Sequence, residues 1–310
     1  MARKPSIMIP YPGPCLDPAV QDIAIYLRPE SNGVKVESTI LKVIHSDPNY
    51  RKALEIIYLA NLPGDFIVRN RIIEEHYALK VRFAREGKEA FTPTMRRRFE
   101  EYFSSHFETS HIVGAYEALK ILRKSAKELF QIWVPEGQFT RIHQQSVKKV
   151  EGIYIVNYDI PALLQKNSWK TDVFSMIIRS FLPYVEFHRL IDSINGALKR
   201  EGIITNPTLY SHVFHYSKGP FEQILDGIGY IYTSGDRHID ISQLSFFSYL
   251  LSRGCSKEEI MQSILNPITR IRTVSRPNRD ARIEERHLFS YTLDNSFDEA
   301  YRKFQSRVPA

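Results

Sequence analysis

DPNYRKALEIIYLANLPG, residues 47–64, is the stretch on which the reading of the fold turns. Asp47 before Pro48 pairs a capping residue with a proline at the first helical position, and Leu54, Ile57, Tyr58 and Asn61 then recur at i, i+3, i+4 and i+7. Pro63-Gly64 closes the run. That spacing predicts one helix across the segment, and the same period recurs on both sides of it.

Working outward, a helix is expected from Asp65 to Arg85, stopping before Gly87, and a shorter one after Thr92-Pro93. Another follows Ser110, with Tyr116, Leu119, Leu122, Ala126, Leu129 and Trp133 on one stripe before Pro135. Beyond Pro183, Phe187, Leu190, Ile191, Ile194 and Leu198 again fall at helical spacing, and Gly202 ends the run. Strand signals are fewer. IAIYLRPESNGVKV from Ile23 to Val36 reads as two short strands around Ser31-Asn32-Gly33, and VEGIYIVNY at 150–158 has strand character, at a domain boundary or in a small sheet insert. Ile228 to Ile241, with Ser234-Gly235-Asp236 in the middle, reads as a hairpin.

The fold expected from this pattern is mainly α: a helical bundle with one or two small β-hairpins. Residues 1–35 are expected to form an extended, proline-rich arm with a possible hairpin, 36–150 a helical bundle domain, 151–265 a helical region with a small hairpin, and 266–310 a basic, charged C-terminal tail.

A chain of 310 residues with 43% hydrophobic and 25% charged residues is long and apolar enough to fold on its core, well away from the composition of disorder. Prolines 5, 10, 12 and 14 interrupt any apolar stretch of the kind a secretory signal needs, and no run approaches the length of a membrane span. Two cysteines, Cys15 and Cys255, form no C-x-x-C pair and suit a reducing compartment, so a cytoplasmic protein is expected. A formal charge of +7 favours acidic partners.

Two sets of residues carry candidate chemistry. Arg270, Arg272, Arg276, Arg279, Arg282 and Arg286 place six guanidinium groups in seventeen residues. Arginine donates a planar, permanently charged fork that suits phosphate and carboxylate, so the stretch is a candidate contact for nucleic acid or an acidic protein. The second set is His212, His215, Asp236, His238 and Asp240, whose side chains are of the types that hold zinc, iron or manganese.

Other patterns lead less far. Ile241 to Leu265, with Gly254 between two helical runs and Ser256-x-x-Glu259 opening the second, has the loose form of a helix-turn-helix. Glu258 and Glu259 in the first turn of the second run make an ordinary αα-hairpin the better reading. Glu108-x-x-His111 resembles half of a di-iron motif, without a second half. No nucleophile elbow, phosphate loop, dinucleotide fingerprint or H-E-x-x-H is present. The function expected is therefore a non-enzymatic binding or scaffold protein with an acidic partner and no cofactor. The alternative is a metal-dependent enzyme that holds a divalent transition metal between residues 212 and 240.

Overall fold

A computed structural model describes residues 3–28, 31, 33–166, 169–205, 213–273 and 282–308. The chain divides into two compact units. One comprises Met1–Ile72, Ser168–Glu284 and Leu288–Ala310, and the other Ile73–Asn167 and Glu285–His287. The expectation of a mainly α-helical bundle with small hairpins is overturned, because the described residues build sheets of five, four, three and two strands.

In the first unit, the five-stranded sheet is formed by β1 (Ser6–Ile9), β2 (Gln21–Leu27), β3 (Leu54–Leu62), β4 (Val173–Ser180) and β5 (Phe214–Tyr216), in the order β1-β3-β4-β2-β5. Every pair is antiparallel. Helix α1 (Val34–Ser46) lies between β2 and β3 in the chain, and α2 (Tyr184–Arg200) between β4 and β5. A β-α-β-β-α-β chain with its strands in this order is a split βαβ arrangement. The expected pair of short strands between Ile23 and Val36 is thus one strand followed by a helix.

The sheet is covered on both faces. Ile23, Ile25 and Leu27 of β2 and Phe174, Met176 and Ile178 of β4 pack with Ile40 and Ile44 of α1 and with Phe187, Leu190 and Leu198 of α2. On the other face, Ile57, Tyr58, Ala60 and Ile177 meet Phe221 and Ile224 of α3 (Pro220–Gly227) and Phe246 and Leu250 of α4 (Ser245–Ser252). Ile260 of α5 (Lys257–Leu265) and Phe297, Ala300 and Phe304 of α6 (Phe297–Gln305) complete that core.

Two-sided burial explains why the sequence pattern misleads. Strands covered on both faces lose the alternation of apolar and polar residues and read as continuous apolar runs. All seven residues of β2 are buried. In β3 the pattern is blurred further by a bulge: Ile56 pairs with Ile178 and Tyr58 with Ile177, so Ile57 is an extra residue, and both Ile57 and Tyr58 join the second core. The opening signal of the segment is nevertheless real. Asp47 caps a short helix, Pro48–Ala53, by accepting the Asn49 N–H, and the chain turns extended at Leu54.

Of residues 266–310, expected as a charged tail, the described ones contribute α6 and a three-stranded sheet of β6 (Ile268–Thr273), β7 (Arg282–His287) and β8 (Arg307–Val308), in the order β7-β6-β8. A two-stranded hairpin joins Tyr232–Ser234 to Arg237–His238.

The second unit holds a four-stranded sheet in the order Ile112–Gly114, Ile153–Val156, Gln145–Val150, Phe139–Ile142. Its first pair is parallel and the rest antiparallel. Gly114 is required where this sheet meets the helix Ala78–Glu86, since a Cβ there would lie 2.2 Å from the Ala84 carbonyl oxygen. The single stripe expected from Tyr116 to Trp133 is two helices, Ala115–Ile121 and Ala126–Gln131. Arg123, at φ 52°, turns the chain between them, and a Ser125–Glu128 capping box starts the second.

Candidate functional site

The arginine-rich stretch is set on strands. Along β6 the two-residue period turns Arg270 and Arg272 to solvent on either side of Ile271, which is fully buried. β8 pairs with this strand, Val308 opposite Arg270 and Arg307 opposite Ile271. Arg282 and Arg286 are exposed on β7. Among the described residues, Arg270, Arg272 and Arg282 are held in no ion pair. Arg276 and Arg279 lie outside the described residues.

Arg307, which sequence reasoning missed, contrasts with them. Its guanidinium carbon sits 3.3 Å from the Phe304 ring centroid, and the group donates to Glu259 and Ser263. Burial lowers its pKa, partly offset by Glu259. This arginine fastens β8 to α5, and the exposed three are left to face solvent.

The histidine and aspartate set separates. His215, on β5, meets two carboxylates that the sequence reading did not include, Glu222 and Asp226. These lie one helical turn apart on α3, and the three ligand atoms fall within 4.8 Å of one another. His215 Nε2 lies 2.8 Å from Asp226 Oδ2, and the Tyr26 ring stacks on the imidazole at 4.7 Å. Glu222 Oε2 accepts the Lys218 N–H at 2.7 Å. Burial, and then the charge of Asp226, raise the Glu222 pKa. The available signal was Glu-x-x-x-Asp in PFEQILDG, a spacing that sets two carboxylates on one helix face just after HVFHY.

The remaining candidates have other employment. Asp236 pairs with Lys4 at 3.4 Å. His238 accepts the Gly229 N–H on Nε2 at 2.8 Å and places Nδ1 2.6 Å from the Ile239 carbonyl oxygen, so both ring nitrogens face backbone. Asp240 accepts the Ser242 N–H at 2.9 Å, and that bond holds its carboxyl below the usual range. His212 lies outside the described residues.

A third polar cluster is structural. Asp22 accepts two bonds from Arg179, at 2.7 and 2.8 Å, and further bonds from Tyr11 and Ser245. Arg179 also donates to the Gly13 carbonyl and Ser245 Oγ accepts the Cys15 N–H, so this group fastens the proline-rich arm to the sheet. A cavity lined by Tyr11, Asp22, Gln223 and Ser245 has room for about one water and none for a substrate.

The chain matches no protein-family model, no curated protein and no solved structure. No helix among the described residues is long and apolar enough to cross a membrane.

Proposed function

We propose that the chain is a non-enzymatic binding protein for an acidic partner, a nucleic acid or an acidic protein, engaged partly through the arginines of β6 and β7. The observation that carries this reading is the set of Arg270, Arg272 and Arg282, exposed on neighbouring strands with no ion pair among the described residues. Because these arginines stand on strands, no backbone has to be ordered when their guanidinium groups meet a phosphate or carboxylate. Two unpaired cysteines support a reducing compartment and, as the finer reading, the cytoplasm.

A salt titration against a labelled duplex DNA tests the proposal. Affinity should fall steeply with salt, and replacing Arg270, Arg272 and Arg282 together by glutamine should flatten the log–log slope by about 0.9 per lost contact. An unchanged slope removes these arginines from the interface. Binding of polyglutamate in place of DNA selects the acidic-protein form of the reading.

A second reading, a divalent transition metal, is supported by the meeting of His215, Glu222 and Asp226. A cation there would relieve the burial of two adjacent carboxylates. Metal analysis and metal-dependent melting test it: His215→Ala should abolish both bound metal and any thermal shift, since such sites seldom survive loss of one ligand. Metal-free protein from a metal-replete culture, unshifted by added zinc or manganese, ends this reading.

A further inference from the structure

The second unit carries a surface on which rings and cations alternate. Phe139 opens the edge strand Phe139–Ile142 and meets the Tyr158 ring edge-on, with centroids 6.2 Å apart. Tyr158 in turn stacks with Phe130, at 6.3 Å and an interplanar angle of 26°. Tyr102 donates its hydroxyl to the carbonyl oxygens of Phe139 and Glu136, at 2.6 and 2.8 Å, which ties a fourth ring to the same edge. Trp133 follows Phe130 by three residues in the chain. Its neighbour Ile132 accepts a hydrogen bond from Lys148, whose ammonium lies 3.4 Å from the Tyr158 ring centroid.

The exposure of these rings runs against their chemistry. Trp133 is 82% exposed, Phe130 42% and Tyr102 41%. Scattered surface apolar residues are ordinary, but a group of rings interleaved with cations is the composition of a stacking platform. Lys166 lies over Phe130 at 5.6 Å, Arg141 beside Phe139 at 5.8 Å, and residues 120–149 hold seven lysines and arginines against two glutamates.

We infer that this face of the second unit binds single-stranded nucleic acid, with bases stacking on Trp133 and Phe130 and phosphates meeting Arg141 and Lys166. A base offers its π-face only when unstacked, so the rings distinguish single strands from a duplex, which exposes base edges and phosphates alone. The cations supply a backbone contact that is indifferent to sequence. The inference goes beyond the arginine strands: it names the acidic partner's chemistry and assigns the contact to residues other than those arginines.

The test uses the full chain with a fluorescein-labelled oligomer of twenty deoxythymidines or uridines. Trp169→Phe leaves Trp133 as the only tryptophan, and its emission should be quenched on binding. Trp133→Ala and Phe130→Ala should each raise Kd about tenfold, with Trp133→Phe restoring most of the affinity. Trp133→Leu, which keeps apolar bulk but loses the ring, should weaken binding as Trp133→Ala does, and it decides the matter where an alanine variant fails to fold. The arginine triple variant of β6 and β7 should leave the ring-dependent loss intact, which separates failure of this inference from failure of the arginine reading. Parental affinity in Trp133→Ala, Trp133→Leu and Phe130→Ala, unquenched Trp133 emission, or binding of a duplex as tightly as the oligomer by the arginine triple variant overturns it. Capture of polyglutamate with the same ring dependence assigns the face to a protein and overturns it equally.

Discussion

Helix α2 and strand β3 present nearly the same signal in sequence and take opposite structures. Both repeat apolar residues at i, i+3 and i+4, but α2 fills the gaps with Glu186, His188, Arg189, Asp192 and Ser193, whereas β3 fills them with Ile56, Leu59 and Ala60 and only Glu55 and Asn61 are polar. A helix on a sheet wets one side, so its stripe needs a polar complement. A strand between two layers wets neither. The polar face, more than the apolar stripe, is therefore what marks a helix in this chain.

That contrast breaks most easily by charge. Ala60 is fully buried in the second core, and Ala60→Asp should place an unpaired carboxylate there, costing about 4 kcal/mol or more, which is most of the stability of a protein at the low end of the ordinary range of about 5–15 kcal/mol. Asp192→Lys on the exposed side of α2 should stay within about 0.5 kcal/mol. Equal tolerance at the two positions, read by chemical denaturation, would mean that the second face of the sheet is not covered.

This also accounts for what the sequence disclosed. The α2 stripe was legible from Phe187 to Leu198, as were the Asp47-Pro48 start and the hairpin near Ser234, because each signal is local. The first of the strands read from Ile23 is β2, but its pairing and the whole of β4 were not legible, since their burial depends on partners more than a hundred residues distant, such as Ile23 opposite Ile178. The candidate sites divide in the same way. Arginine density is a composition and could be read directly. The meeting of His215 with Asp226 depends on β5 lying beside α3, and the five-residue histidine and aspartate set named residues of the right types in neighbouring segments without that pairing.

Truncation sharpens the contrast at intermediate cost. Leu198 is fully buried between α2 and the sheet, and Leu198→Ala should destabilise by about 2–5 kcal/mol through lost transfer energy and a residual cavity. An unchanged midpoint would place the α2 stripe away from the core. On β3, Tyr58→Phe removes only a hydroxyl, but that hydroxyl accepts the buried Tyr232 N–H at 3.0 Å. Leaving that donor unpaired should cost about 1–3 kcal/mol at unchanged denaturant dependence. A neutral Tyr58→Phe would show that the Tyr232 N–H finds another acceptor.

The smallest effect tests where helix gives way to strand. Asp47 Oδ1 accepts the Asn49 N–H at 2.8 Å at the start of a six-residue helix that buries none of its own residues and ends at Leu54. A helix this short has little intrinsic stability in water, so its cap matters more than its propensity. Asp47→Ala should cost about 1 kcal/mol and Asp47→Asn, which keeps an acceptor, a few tenths. Because β3 is held by its ladder with β4 and by two cores, hydrogen exchange at its amides should change no more than the global loss requires. If Asp47→Ala instead opens the Leu54–Leu62 amides selectively, the cap sets the entry of β3 into the sheet, and the helical signal at residue 47 is part of what makes the strand.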